Sequence, residues 1–103
     1  MPLINNCTIS TVRGGVFKLR NVKANRYQPR LVFTSDGQYV QSNYVLDGVP
    51  AFAGGPTDAD DALDITEGDL LTENGRPAGI VTLITPYPTR IVHTEITVVR
   101  SMV

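Results

Sequence analysis

Tight-turn dipeptides between short β-prone segments constrain the fold of this chain more than any other feature. Asp36-Gly37 and Asn74-Gly75 each separate two runs rich in β-branched, aromatic and aliphatic residues. Such dipeptides supply the positive-φ residues that a two-residue hairpin turn requires. Gly14-Gly15 ends a further alternating segment, CTISTVR. The chain is therefore predicted to consist mainly of antiparallel strands.

Alternation of side-chain character predicts where the strands lie. The segments are 7–13, 16–22, 31–35, 38–46, a short strand through Leu70 and Leu71, 79–85 and 90–100. Ile65 is expected to point inward, Gly68 to permit a bend, and residues 86–88, Pro-Tyr-Pro, to form a rigid connector. We predict an all-β domain over residues 1–103, a small barrel or sandwich of about six to seven antiparallel strands.

Chain length and cysteine content limit the architecture further. A chain of 103 residues is expected to form one domain. Cys7 is the only cysteine, so no intrachain disulfide and no cysteine-based zinc site can form, and Cys7 is expected to be a small buried hydrophobe. Residues 1–10 lack the pattern of a secretory signal, and no apolar run reaches the roughly 18 residues of a membrane span. We therefore expect folding in a reducing cytoplasm and no membrane partner.

Residues 47–64 are predicted to form a long irregular loop. Two prolines and three glycines lie between positions 48 and 56. Thr57 could cap a short helical turn over 58–64, with acidic residues near its positive end. Long loops in small domains are often functional, so we expect this loop to face a partner.

Charge is segregated along the chain. Residues 1–35 carry six basic residues and no acidic one, whereas residues 36–75 carry nine acidic residues and no basic one. Two arrangements are open: the fold interleaves these segments in space, or it presents opposed patches. Opposed patches would favour head-to-tail contacts between copies, which close into rings.

No catalytic residue, metal site or cofactor site is predicted. A calcium loop built from Asp58, Asp60, Asp61 and Asp64 is disfavoured, because Ala62 and Leu63 stand where a ligand and a glycine belong. His93 and Glu95 should share a strand face, but no nucleophile accompanies them. The basic segment 13–30, which contains Phe17 and Tyr27, remains an alternative nucleic-acid-binding surface.

The order of the motifs resembles the head-closure, or head–tail stopper, proteins of tailed bacteriophages. The resemblance covers roughly residues 31–100 and rests on SDGQYVQSNYV, LDITEGDLLTENGRPAGIVTLITP and RIVHTEITVVR. Pro77-Ala78-Gly79 departs from the family pattern, which commonly has an aromatic residue after this turn. The matching positions are Asp36, Gly37, Val40, Ser42, Ile65, Gly68, Asp69, Leu71, Gly75, Val81, His93, Glu95 and Ile96.

The resemblance implies a non-enzymatic virion protein, assembled in the host cytoplasm as a homo-oligomeric ring in the phage neck. Its partners would be further copies of itself, a portal or adaptor protein, a tail protein, and genomic DNA that passes through the channel without sequence-specific contact. The long loop would supply the oligomer or channel contacts, and the basic segment would supply interface candidates. These are Val49, Pro50, Phe52, Gly54, Gly55, Asp58, Asp60 and Asp61 in the loop, and Arg20, Lys23, Arg26 and Arg30 in the basic segment.

Overall fold

The computed structural model describes residues 5–47, 65–87 and 93–101, and within these ranges the chain is all-β. All strand pairings are antiparallel. The predicted fold class is therefore confirmed, whereas the loop beyond Asp47 and its helical turn over 58–64 lie outside the described residues. The seven strands are β1 (Cys7–Arg13), β2 (Val16–Arg26), β3 (Arg30–Thr34), β4 (Gly37–Asp47), β5 (Leu70–Glu73), β6 (Arg76–Tyr87) and β7 (His93–Ser101).

The seven strands form one sheet that curls back on itself. Their order is β2-β1-β5-β6-β7-β4-β3, and the end of β2 also pairs with β4. This second pairing joins Asn25 to Val45 and Arg26 to Tyr44, so six strands enclose the core. β2 and β3 share the edge of β4 that β7 leaves open. The arrangement is barrel-like, but the closing ladder is short.

The enclosed core consists of the inward-facing residues of these strands and of Ile65, which precedes β5. Ile65 is fully buried, as predicted, and Thr94, Ile96 and Val98 form the buried face of β7. Cys7 is also buried, in agreement with the expectation, and its thiol lies 3.5 Å from the Ala24 carbonyl oxygen. Burial raises the pKa of the Cys7 thiol. The largest fully buried side chains are Tyr44, Ile9, Leu46, Ile65, Leu71, Ile96 and Val81.

The pairing of β1 with β2 differs from simple alternation. β2 extends beyond the predicted 16–22 to Arg26, and its register shifts twice against β1, between Ile9 and Val12. Each shift places an extra residue on β2, which is the geometry of a β-bulge. The hydroxyls of two buried β1 residues compensate: Thr11 accepts the Leu19 N–H, and Ser10 accepts the Asn21 N–H. Strict alternation predicts that Phe17, Leu19 and Asn21 share one face, but the bulges leave Leu19 buried and the other two exposed, so that prediction is wrong.

Two predicted connections also need correction. Asn74 and Gly75 both have positive φ (50° and 85°), as their predicted turn requires. The β3–β4 hairpin turns at Ser35-Asp36 and not at the predicted Asp36-Gly37, and within residues 34–37 only Gly37 has positive φ. Residues 86 and 87, predicted as part of a connector, belong to β6. Because β5 pairs with β6 only as far as Ile80, Pro86 lies where the described sheet has an edge, a position that tolerates proline.

Close backbone packing at Gly79 generates a prediction about stability. A Cβ at position 79 would lie 2.5 Å from the Val99 carbonyl oxygen, whereas a Cβ at Gly37 would meet nothing within 4 Å. The φ angles of the two glycines are almost equal, 139° and 138°. We expect Gly37→Ala to cost about 1–2 kcal/mol of unfolding free energy from backbone strain. Gly79→Ala should cost roughly 2 kcal/mol more, because β6 must separate from β7.

Urea denaturation of both variants measures this difference, and Gly37→Ala is the matched control for the φ angle. Equal losses in the two variants would show that the close approach of β6 to β7 contributes nothing.

Candidate functional site

An apolar row crosses the outer face of the sheet. Cross-strand pairing joins Phe17 to Val12 and Val12 to Leu70, and it then joins Leu70 to Ile80 and Ile80 to Val99. These five residues, the outer apolar row, come from β2, β1, β5, β6 and β7. Phe17, Leu70 and Ile80 are 50%, 53% and 47% exposed. A contiguous apolar surface of this kind marks a contact site more often than isolated exposed residues do.

The β3–β4 hairpin also exposes apolar side chains, next to the Val99 end of the row. Val99 lines a shallow groove of about 200 Å³ together with Val32 and Tyr39. Leu31 and Phe33 alternate with Val32 along β3 and are also largely exposed. β3 ends the strand order, so among the described strands its second edge has no partner. An unpaired edge with apolar side chains is a second surface suited to contact with another chain.

At one end of the enclosed core, an open cleft of about 550 Å³ is lined by polar and charged side chains. We call it the arginine cleft, because three arginine residues line it, from β2, β6 and β7. Strand alternation explains why Arg100 lies at the cleft: it follows Thr94, Ile96 and Val98 on the inward-facing side of β7. The polar lining residues are Arg26, Ser42, Tyr44, Glu73, Asn74, Arg76 and Arg100.

Glu73 is the acidic group of the arginine cleft, and it already has two partners. The Tyr44 hydroxyl donates a hydrogen bond of 2.7 Å to Glu73 Oε1, and Arg26 Nη1 lies 3.5 Å from Glu73 Oε2. Burial and the hydrogen bond to Glu73 raise the pKa of Tyr44, so its hydroxyl remains a donor. Arg76 and Arg100 make no ion pair with any residue that the structure describes. The cleft therefore carries an excess of positive charge.

A second Arg–carboxylate pair has a structural role. Arg13 donates two hydrogen bonds to the buried Asp69, from Nε to Oδ1 at 2.7 Å and from Nη2 to Oδ2 at 2.8 Å. The Thr66 N–H also donates to Asp69 Oδ2, at 3.0 Å. Burial opposes ionisation of Asp69, but the bonds from Arg13 and Thr66, with the charges of Arg13 and Lys18, hold its pKa below the usual range. The Arg13–Asp69 pair therefore links the end of β1 to the residues that precede β5.

Both ion pairs join the basic segment 1–35 to the acidic segment 36–75, so the fold interleaves part of the segregated charge. The four basic interface candidates, Arg20, Lys23, Arg26 and Arg30, do not form one surface. Arg26 enters the arginine cleft, whereas Arg20 lies over the Phe17 ring with its guanidinium carbon 4.6 Å from the ring centroid. Lys23 and Arg30 are exposed on β2 and β3. The loop candidates between Val49 and Asp61, and the alternative calcium ligands, lie outside the described residues.

His93 and Glu95 share a strand face, as expected from the sequence. Their Nε2 and Oε2 atoms lie 3.8 Å apart, and the Tyr87 ring stacks on His93 at a centroid distance of 4.5 Å. A hydrogen bond to Glu95 and the charge of that carboxylate raise the pKa of Tyr87. Within residues 5–47, 65–87 and 93–101, no three His, Cys, Asp or Glu residues group as a metal site. The same ranges contain no helix long and apolar enough to cross a membrane.

Sequence reasoning missed the arginine cleft and the outer apolar row. The row could not be found without the register of five strands. A signal for the cleft did exist, because the alternation that buries Ile96 and Val98 continues to Arg100.

No protein-family model matches the chain, and no curated protein or solved structure matches it either. The fold and its surfaces therefore carry the functional argument.

The Arg13–Asp69 pair generates a prediction about pH. We expect Asp69→Asn to lower the free energy of unfolding at pH 7 by about 2 kcal/mol, because charge-assisted hydrogen bonds to a buried group are lost. The folded pKa of Asp69 lies below the unfolded value of about 3.9, so the ionised carboxylate stabilises the fold above about pH 4. That stabilisation disappears as the pH falls through the folded pKa.

Denaturant unfolding between about pH 7 and pH 2 tests this linkage. The stability of the Asp69→Asn variant should depend less on pH over the acidic part of this range than that of the unmodified protein. Asp36→Asn is the control, since Asp36 is exposed in a turn and has no ion pair among the described residues. Parallel pH curves for the protein and the Asp69→Asn variant would contradict the role given to Asp69.

Proposed function

We propose that this chain is a structural virion protein of the tailed-phage neck, a head-closure protein that forms a ring between the portal or its adaptor and the tail. The observation that carries the proposal is the outer apolar row. A row that spans five strands and exposes Phe17, Leu70 and Ile80 suits a surface that neighbouring copies cover. The resemblance of the motif order to head-closure proteins is the reason for the proposed place of that assembly.

A ring requires two different contact surfaces on each copy, because head-to-tail contacts are heterologous. The outer apolar row supplies one surface. The β3–β4 hairpin supplies the other, with its unpaired edge and with Leu31 and Phe33 exposed. In the proposed ring, the row of one copy packs against the β3–β4 hairpin of the next. The loop over 47–64 and the DNA channel remain part of this proposal through the resemblance alone.

Charge placed in the row should prevent assembly. Leu70→Glu and Ile80→Glu change side chains that are already half exposed, so we expect both variants to fold. Buried at an interface, either carboxylate would cost about 2 kcal/mol or more of association free energy. In the corresponding phage, both variants should be missing from purified particles, which should lose packaged DNA or lack tails. Quantitative mass spectrometry and electron microscopy of the particles measure these effects.

Asn5→Glu is the matched control, because it adds the same charge at an exposed position outside the row. It should leave particle assembly unchanged. The proposal fails if the unmodified chain is absent from purified virions. It also fails if well-folded Leu70→Glu and Ile80→Glu proteins are incorporated as efficiently as Asn5→Glu.

A small nucleic-acid-binding module is the second candidate, and exposed groups on β2 and just after it favour it. Arg20 and Lys23 are exposed on β2, and Phe17 and Tyr27 are exposed nearby in the sequence. Cationic groups with aromatic rings are typical of single-strand-binding surfaces. Fluorescence anisotropy with labelled oligonucleotides over a salt series tests this function. Salt-dependent binding that Arg20→Gln and Lys23→Gln weaken would support it, while absence of binding at low salt would exclude it.

A further inference from the structure

We propose that the arginine cleft binds a phosphate group, and that its ligand class is a phosphate monoester. The inference rests on the cleft at the end of the barrel-like core and not on the outer apolar row. It is therefore independent of the proposed neck function.

The first argument is that three arginine residues line one cleft. Arg26, Arg76 and Arg100 come from three different strands, and closure of the sheet brings them around one opening. Like charges held together without a ligand repel one another, so a fold gains nothing from this arrangement by itself. The planar guanidinium fork matches the oxygens of phosphate, to which it can donate two parallel hydrogen bonds.

The second argument is the charge balance within the cleft. Glu73 accepts from Tyr44 and pairs with Arg26, which leaves Arg76 and Arg100 without ion pairs in the described chain. Their two positive charges match a phosphate monoester, which carries about −1.5 to −2 at pH 7. A carboxylate carries a single charge and would leave one arginine without a partner.

The third argument is the polar and apolar lining. Ser42 is buried, and its side chain makes no hydrogen bond with the rest of the described chain, so its hydroxyl can donate to a phosphate oxygen. Val40, Pro77 and Ala78 line the same cleft. A volume of about 550 Å³ lies within the range of small-molecule sites and exceeds what inorganic phosphate needs. The apolar residues can therefore contact the organic part of a monoester.

Titration calorimetry and NMR of the full chain test this site, with thymidine 5′-monophosphate and inorganic phosphate as probes. We expect saturable binding of one monophosphate per chain, with chemical-shift changes at Ser42, Tyr44 and Arg100. Arg76→Gln and Arg100→Gln should each weaken binding about tenfold or more. Glu73→Gln should strengthen it, because a negative charge is removed from the cleft. Arg20→Gln and Arg30→Gln, at exposed arginines outside the cleft, are the matched controls and should bind like the unmodified protein.

Further probes identify the source of the phosphate and the class of anion. An oligonucleotide without terminal phosphates offers only singly charged diesters, and acetate offers a carboxylate. Both should compete weakly with the monophosphate. The proposal is overturned if the monophosphate does not bind at millimolar concentration, or if acetate or the oligonucleotide competes equally well. It is also overturned if Arg20→Gln weakens binding as much as Arg100→Gln.

Discussion

The ladder between β4 and β7 is the constraint on which the rest of the structure depends. It joins nine consecutive residue pairs, from Tyr39 with Ser101 to Asp47 with His93, without a register shift. Successive strand residues face opposite sides, so this register decides what is core and what is surface. A slip of one strand by one residue would turn Tyr44 or Ile96 outward. The same register places Val99 in the outer apolar row and Arg100 in the arginine cleft.

Irregular pairing elsewhere allows the sheet to close around this ladder. β2 carries two extra residues against β1, and the ladders of β6 with β5 and β7 also shift. Bulges bend strands and increase twist, which a small enclosed sheet requires. The bulges interrupt backbone hydrogen bonds of the ladder. The Ser10 and Thr11 hydroxyls replace two of them by accepting the Asn21 and Leu19 N–H groups. The curvature brings Arg26 of β2 beside Tyr44 of β4 and so builds the cleft.

The sequence predicted the all-β class, the Asn74-Gly75 turn and the common strand face of His93 and Glu95, because each depends on local residue chemistry or strict alternation. Strict alternation failed over 16–22, where two bulges change which residues face the core. Asn21 was the available signal there, since asparagine tolerates its φ of 53°. Alternation along β7 indicated the inward direction of Arg100, but the meeting of Arg26, Arg76 and Arg100 in one cleft could not be predicted, because only the strand order brings them together. The loop residues 49–61 remain a prediction, because they lie outside the described ranges.

The two Arg–carboxylate pairs that join the basic segment to the acidic segment have different roles. Arg13–Asp69 stabilises the fold, whereas Arg26–Glu73 lines the arginine cleft. Asp69 is buried, and Arg13 binds it through two short hydrogen bonds, so removal of Arg13 would leave a poorly solvated carboxylate. The Arg26–Glu73 pair is longer, 3.5 Å, and the Arg26 side chain is 40% exposed. Such an exposed pair contributes about 0–1 kcal/mol, so Arg26 can leave Glu73 at little cost. Stability is therefore concentrated at the first pair, and the second can rearrange when an anion enters the cleft.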